Sequence, residues 1–222
     1  GMNSHNSVKE MVLQFASLKL KHESNQELSL SPVIAFLVGC LTLACTAIVI
    51  FSFGKNMIAE YFFVQALKAA GQNDGQKAYT SLQQTLKFNP ERDSYHRTYA
   101  QTNYALANAI SSKEDITEED RSNVAQLMQQ AIRESRVAAG LNPQRSLNWK
   151  VMAEIYRSLI GSVEKADQFA VAAYVQAIQL FPTEPSLRVD LGGVFLNAKN
   201  YDQAAQLFEQ AARLKPDYPN AY

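Results

Sequence analysis

The chain has 222 residues, 47% of them hydrophobic, and its 21 basic and 21 acidic side chains give zero formal charge. That balance leaves no electrostatic footprint for nucleic acid. About 170 residues follow the single long apolar run, ample for a folded domain.

Within residues 1–31, Val8, Met11, Val12, Phe15 and Leu18 fall at helical spacing among Lys9, Glu10, Lys19 and Lys21. This juxtamembrane segment reads equally as an interfacial helix or as a short helix packed on another part of the protein. Gly1 ahead of Met2 suggests that the natural amino terminus lies elsewhere. The run that starts at Val33 and ends at Phe53, VIAFLVGCLTLACTAIVIFSF, holds 21 residues without a charge. At about 1.5 Å per residue it crosses a hydrocarbon core of about 30 Å. A core helix of that length would show a polar face, and a signal peptide would be shorter and nearer the terminus. A transmembrane helix is expected over 32–54, single-pass in this chain. Leu37-Val38-Gly39-Cys40 looks like a lipoprotein cleavage box, but more membrane core follows Cys40. Cys40 and Cys45 act there as small apolar residues. Lys19 and Lys21 before the helix balance Lys55 and Lys68 after it, so the positive-inside rule leaves the side open, with a lean to the extracytoplasmic face.

Beyond the span, large and small residues recur with prolines as punctuation. Residues 59–92 carry Phe62 and Ala66, a turn from Gly71 to Gly75, then Ala78, Leu82 and Pro90. Residues 93–145 carry Tyr99 and Ala100, then Ala131, Ala138 and Pro143, with Asn103 and Ser135 where aromatics are expected. An insertion there contains Asp115 to Asp120, in which Thr117 can cap a helix and the acids suit its positive end. It predicts a long helical hairpin. Residues 146–184 carry Trp149, Met152, Ala153 and Tyr156, then Ala170, Tyr174, Ala177 and Pro182, with extra residues around Ile160 to Lys165. Residues 185–218 carry Leu191, Gly192, Phe195, Ala204, Phe208, Ala211 and Pro216. A large, a small and an aromatic residue on one helix leave a notch that the second helix fills, with Gly192 expected opposite Ala204. Pro182 and Pro216 are 34 residues apart, the tetratricopeptide period.

On these residues the chain resembles the tetratricopeptide repeat family over 59–222. The resemblance implies an all-α fold, one transmembrane helix followed by a superhelical solenoid of helical hairpins. Pro219-Asn220-Ala221-Tyr222 begins a further unit without its helix. The expectation is a truncated array with an open apolar face around Phe208, Leu214 and Tyr218. The family places first helices along a concave groove, which points to Arg97, Gln101, Tyr104, Lys150, Glu154, Arg157 and Leu196. Long cations beside an aromatic suit a carboxylate-bearing or extended peptide; the alternative is a solvated helix face. The carboxylate clamp of the chaperone-binding branch is absent, its positions holding Arg97, Gln101, Val151, Ser186 and Asp190.

Signals for chemistry are sparse. His5, His22 and His96 have no partners at metal-ligand spacing, and His96 is expected on a partly exposed face. Glu118, Glu119 and Asp120 fit capping electrostatics, and Gly192-Gly193 lacks the context of a phosphate loop. No cofactor, metal or catalytic set is expected. Residues 89–99, Leu141-Asn142-Pro143 and Leu191-Gly192-Gly193 also resemble the repeat tail of bacterial O-antigen ligase or polymerase-like membrane proteins. Two readings follow: a membrane-anchored scaffold for protein or peptide ligands, or the accessory tail of a glycan transferase whose catalytic part lies upstream.

Overall fold

The computed structural model describes residues 32–216, and every regular element within them is a helix. The expected amphipathic segment before residue 32 and the aromatic at Tyr218 lie outside the described residues. Helix α1 spans Pro32–Gly71. The chain divides into two compact units, Gly1–Ser52 and Phe53–Tyr222.

In the first unit Phe36, Leu41, Leu43, Ile48 and Phe51 are exposed on several sides of α1. The hydroxyl of Thr42 donates to the Gly39 carbonyl at 2.8 Å and that of Thr46 to the Thr42 carbonyl at 2.7 Å. The helix thus satisfies its own polar groups, as an apolar surrounding would require. Among the described residues α1 is the one helix long and apolar enough to cross a membrane.

In the second unit the remainder of α1 joins seven helices: α2 (Gly75–Phe88), α3 (Asp93–Ser111), α4 (Glu118–Leu141), α5 (Ser146–Ser158), α6 (Ala166–Leu180), α7 (Pro185–Asn197) and α8 (Tyr201–Leu214). Successive hairpins pair α3 with α4, α5 with α6, and α7 with α8, and each hairpin also touches the next. Three of the four turns inside the hairpins are set by side-chain caps, while Lys165 opens α6 in the left-handed conformation with no side-chain cap. Asp74 accepts from the Lys77 N–H, Asn200 from the Gln203 N–H, and Thr117 forms a reciprocal capping box with Asp120. The α3–α4 hairpin, with helices of 19 and 24 residues, is the longest, as the insertion at 115–120 foretells.

The core is built of small residues against aromatics. Ala66, Leu82 and Tyr99 form one cluster, Ala100, Ala131, Val151 and Ile155 a second, Tyr156, Ala166 and Ala170 a third, and Ala153, Ala173, Tyr174, Leu191 and Val194 a fourth. Phe62 stacks on Phe88 with centroids 6.0 Å apart. At the last hairpin the sequence expectation needs correction: a Cβ on Gly192 would lie 2.5 Å from Cε1 of Phe208. The residue filling the notch is Phe208 rather than Ala204, because an aromatic ring one turn along α8 reaches farther than a methyl group.

Three joints between hairpins share one hydrogen bond. The ring nitrogen Nε2 of His96 lies 2.7 Å from the Pro90 carbonyl, Trp149 Nε1 2.8 Å from the Pro143 carbonyl, and Arg188 Nη1 2.6 Å from the Pro182 carbonyl. A carbonyl only accepts, so each side chain donates. Each links the fourth residue of a first helix to the proline six residues earlier.

Candidate binding surface on the first helices

Arg97, Gln101 and Tyr104 lie on α3, Lys150, Glu154 and Arg157 on α5, and Leu196 on α7. The structure joins the α5 residues through Asp190 of α7, which sequence reasoning did not select as a surface residue. Lys150 Nζ lies 3.8 Å from both Glu154 and Asp190, and Arg157 Nη1 lies 3.4 Å from Asp190. Two cations therefore face two acids, and the local charge cancels. Burial pushes the Glu154 carboxyl above its usual range, with Asp190 adding to the rise and Lys150 and Arg157 opposing it. A signal for Asp190 was present in the chain: an acid stands where the carboxylate clamp of the related branch requires a cation.

Arg97 is placed differently. Its guanidinium donates to Asn148 Oδ1 at 2.9 Å and lies 3.5 Å from Asp93. Burial lowers its pKa, offset by Asp93 and reinforced by Arg145. Asn148, fully buried, donates to Asp93 Oδ2 at 2.9 Å and to the carbonyls of Ala138 and Asn142. Arg145 closes on the same Asp93 oxygen at 3.1 Å. Arg97 thus belongs to a network tying α3 and α4 to α5. Gln101 is exposed, while Tyr104 is half-buried against the Ala100, Val151 and Ile155 cluster. Leu196 is exposed.

His96 also departs from expectation: it is buried, not partly exposed, with Nδ1 2.6 Å from Glu134 Oε2. Glu134 of α4 and the Pro90 carbonyl occupy the two ring nitrogens. Among the described residues no group of three or more His, Cys, Asp or Glu is placed to hold a metal ion.

Stacked helical hairpins with first helices side by side define a helical repeat scaffold. Residues 167–222 match the family model for the tetratricopeptide repeat. Among solved structures, the fold is similar to a thermophilic TPR protein of Thermus thermophilus, at 17% identity and a TM-score of 0.59, covering 85% of this chain and 91% of that one. It is also similar to MamA, at 17% identity and a TM-score of 0.56 over 71% and 78% of the two chains. A tetratricopeptide repeat protein from Parabacteroides merdae aligns at 13% identity and a TM-score of 0.58, over 74% and 56%. These likenesses establish the tetratricopeptide-type fold. No curated protein matches the chain by sequence.

Proposed function

We propose that the chain is a membrane-anchored tetratricopeptide scaffold that holds an extended segment of a partner protein along its first helices. The reading takes 32–54 as the anchor and 59–92, 93–145, 146–184 and 185–218 as the repeat units. The observation that carries it is the bridge from Asp190 of α7 to Lys150 and Arg157 of α5. It makes a mixed-charge strip on adjacent helices, and the preceding first helix carries the exposed Gln101 and the half-buried Tyr104. The bridges are long, so a peptide can exchange into them, donating its amides to Glu154 and Asp190 and offering carbonyls or carboxylates to Lys150 and Arg157. A purely acidic ligand must displace both acids first, which favours peptides of mixed charge.

A phage-displayed peptide library panned on the full chain in detergent micelles tests this. Sequences enriched over empty micelles should bind at least about tenfold more weakly to Lys150→Ala/Asp190→Ala, an effect of about 1.4 kcal/mol. No enrichment, or enrichment indifferent to the double substitution, would overturn the proposal.

A further inference from the structure

Away from the first-helix strip, α4, α5 and α6 enclose a second surface feature, a cleft of about 410 Å³. Trp149, Met152 and Tyr156 of α5, Phe169 of α6 and Pro143 of the preceding turn line it, with Arg136 of α4 as the one charged lining residue. The Arg136 guanidinium carbon lies 5.6 Å from the ring centroids of both Tyr156 and Phe169. Cation–π contact holds the group over the aromatic wall, and among the described residues no carboxylate is in ion-pair range of it. Gly140 borders the cleft, and a Cβ there would meet nothing within 4 Å.

The other joints do not repeat this arrangement. The residue corresponding to Trp149 is His96 in the preceding hairpin, where Glu134 satisfies the ring, and Arg188 in the following one, where Gln210 accepts from its guanidinium. Among the described residues, of the three joints the one at Trp149 alone combines an aromatic wall with a cation held over it and no carboxylate in ion-pair range.

We propose that this cleft is a docking site for a partner-protein segment in which a bulky apolar residue stands next to an aspartate or glutamate. The apolar walls take the bulky side chain, and the carboxylate completes the charge of Arg136, whose planar fork presents paired N–H donors. Charge complementarity selects this occupant, since a neutral apolar segment leaves Arg136 as it is and a basic one is repelled. The site lies on residues separate from Lys150, Glu154, Arg157 and Asp190, so it stands or falls independently of the first-helix strip.

Trp149 is the single tryptophan of the chain, and its emission reads the cleft directly. The probes are the acetylated tetrapeptide amide Glu-Leu-Phe-Asp and its Gln-Leu-Phe-Asn counterpart, titrated into the full chain in detergent micelles. The acidic peptide should shift Trp149 emission saturably and bind about tenfold more tightly than the amide form, the scale of one charge-assisted contact. Arg136→Gln should make the two peptides equivalent. Gly140→Leu should fill the cleft and abolish the saturable shift, while far-UV circular dichroism stays that of the parent protein. Equal binding of both peptides to the parent, the absence of a saturable shift, or retention of it in Gly140→Leu would each overturn the proposal.

Discussion

His96, Trp149 and Arg188 share little chemistry beyond an N–H at the end of a side chain long enough to reach back six residues. That is all the joint requires, so a comparison of residue types hides an equivalence that the hydrogen bonds reveal. At His96 the requirement has a further consequence. Nε2 donates to Pro90, so for Glu134 to accept at Nδ1 as a carboxylate the ring must carry both protons. Burial pulls the His96 pKa down, but hydrogen bonds to Glu134 and Pro90 outweigh it and the net shift is upward from 6.5. Burial pushes Glu134 up, and the hydrogen bond and charge of His96 outweigh it, so the net shift is downward from 4.5. A raised histidine contributes fully below 6.5 and loses its contribution as pH rises through its folded value. A lowered glutamate contributes fully above 4.5 and loses its contribution as pH falls through its folded value. Both are complete between those limits. Melting temperature against pH should show a plateau there with a fall on each side. Glu134→Gln should lower the plateau by about 1–3 kcal/mol, the cost of an ill-satisfied buried group, and flatten the flanks; an unchanged profile would refute the pairing. Gly192 makes a second residue-scale prediction. A leucine there would be driven into the Phe208 ring, costing about 1–3 kcal/mol by overpacking. Phe208→Ala in the same chain should recover part of that loss in a thermal melt, whereas Ala204→Gly should not.

Helices in this chain are mostly announced by local chemistry, and α4 shows how. Thr117 Oγ1 accepts from the Asp120 N–H at 3.0 Å, while Asp120 accepts from the Thr117 N–H at 3.2 Å and from Lys113 Nζ at 2.7 Å. Those contacts, Lys113 foremost, pull the Asp120 pKa down to about 2. Thr117→Ala should cost about 1 kcal/mol, with faster amide exchange confined to the first turn of α4; exchange that spreads through the whole helix would show that the cap does more than close its end. The cap, the insertion and the proline spacing were all legible in the sequence, since each depends on residues a few positions apart. The binding surface was legible only as a set of faces. Whether a cation on one first helix is free depends on the helix of the next unit, 51 residues away for Arg97 and Asn148 and 33 for Arg157 and Asp190. Such pairings follow from the register of stacked hairpins, which a one-dimensional period does not encode. The same distance hid Phe208 behind Gly192: the notch could be read, but not which of two residues on α8 reaches into it.

For a stack of hairpins, stability is a sum of unit terms and nearest-neighbour interfaces, so one weak interface decides whether the array unfolds as a whole. The interface between residues 93–145 and 146–184 is held at the helix ends by a network of buried polar groups. Asn148 donates to Asp93 and to two carbonyls of the preceding helix end, and accepts from Arg97. Asn148→Ala leaves Asp93 beside two arginines and the Ala138 carbonyl with the Asn142 N–H, but removes the one side-chain amide that joins α5 to both. At about 0.5–1.5 kcal/mol for each neutral hydrogen bond lost and about 1.5–3 kcal/mol for each to a charged group, the loss is comparable with a large part of a typical domain's stability. The α5–α8 block should then uncouple from the α3–α4 hairpin rather than unfold together with it. Trp149 reports this joint, since its indole donates to Pro143 at the same boundary. In urea the parent protein should show one transition, with Trp149 emission and far-UV circular dichroism coinciding. Asn148→Ala should separate them, the fluorescence change coming at lower urea than most of the loss of helix. Coincident curves with an unchanged midpoint would mean that apolar contacts of Val151 and Ile155 with Ala100 and Ala131 carry the interface alone.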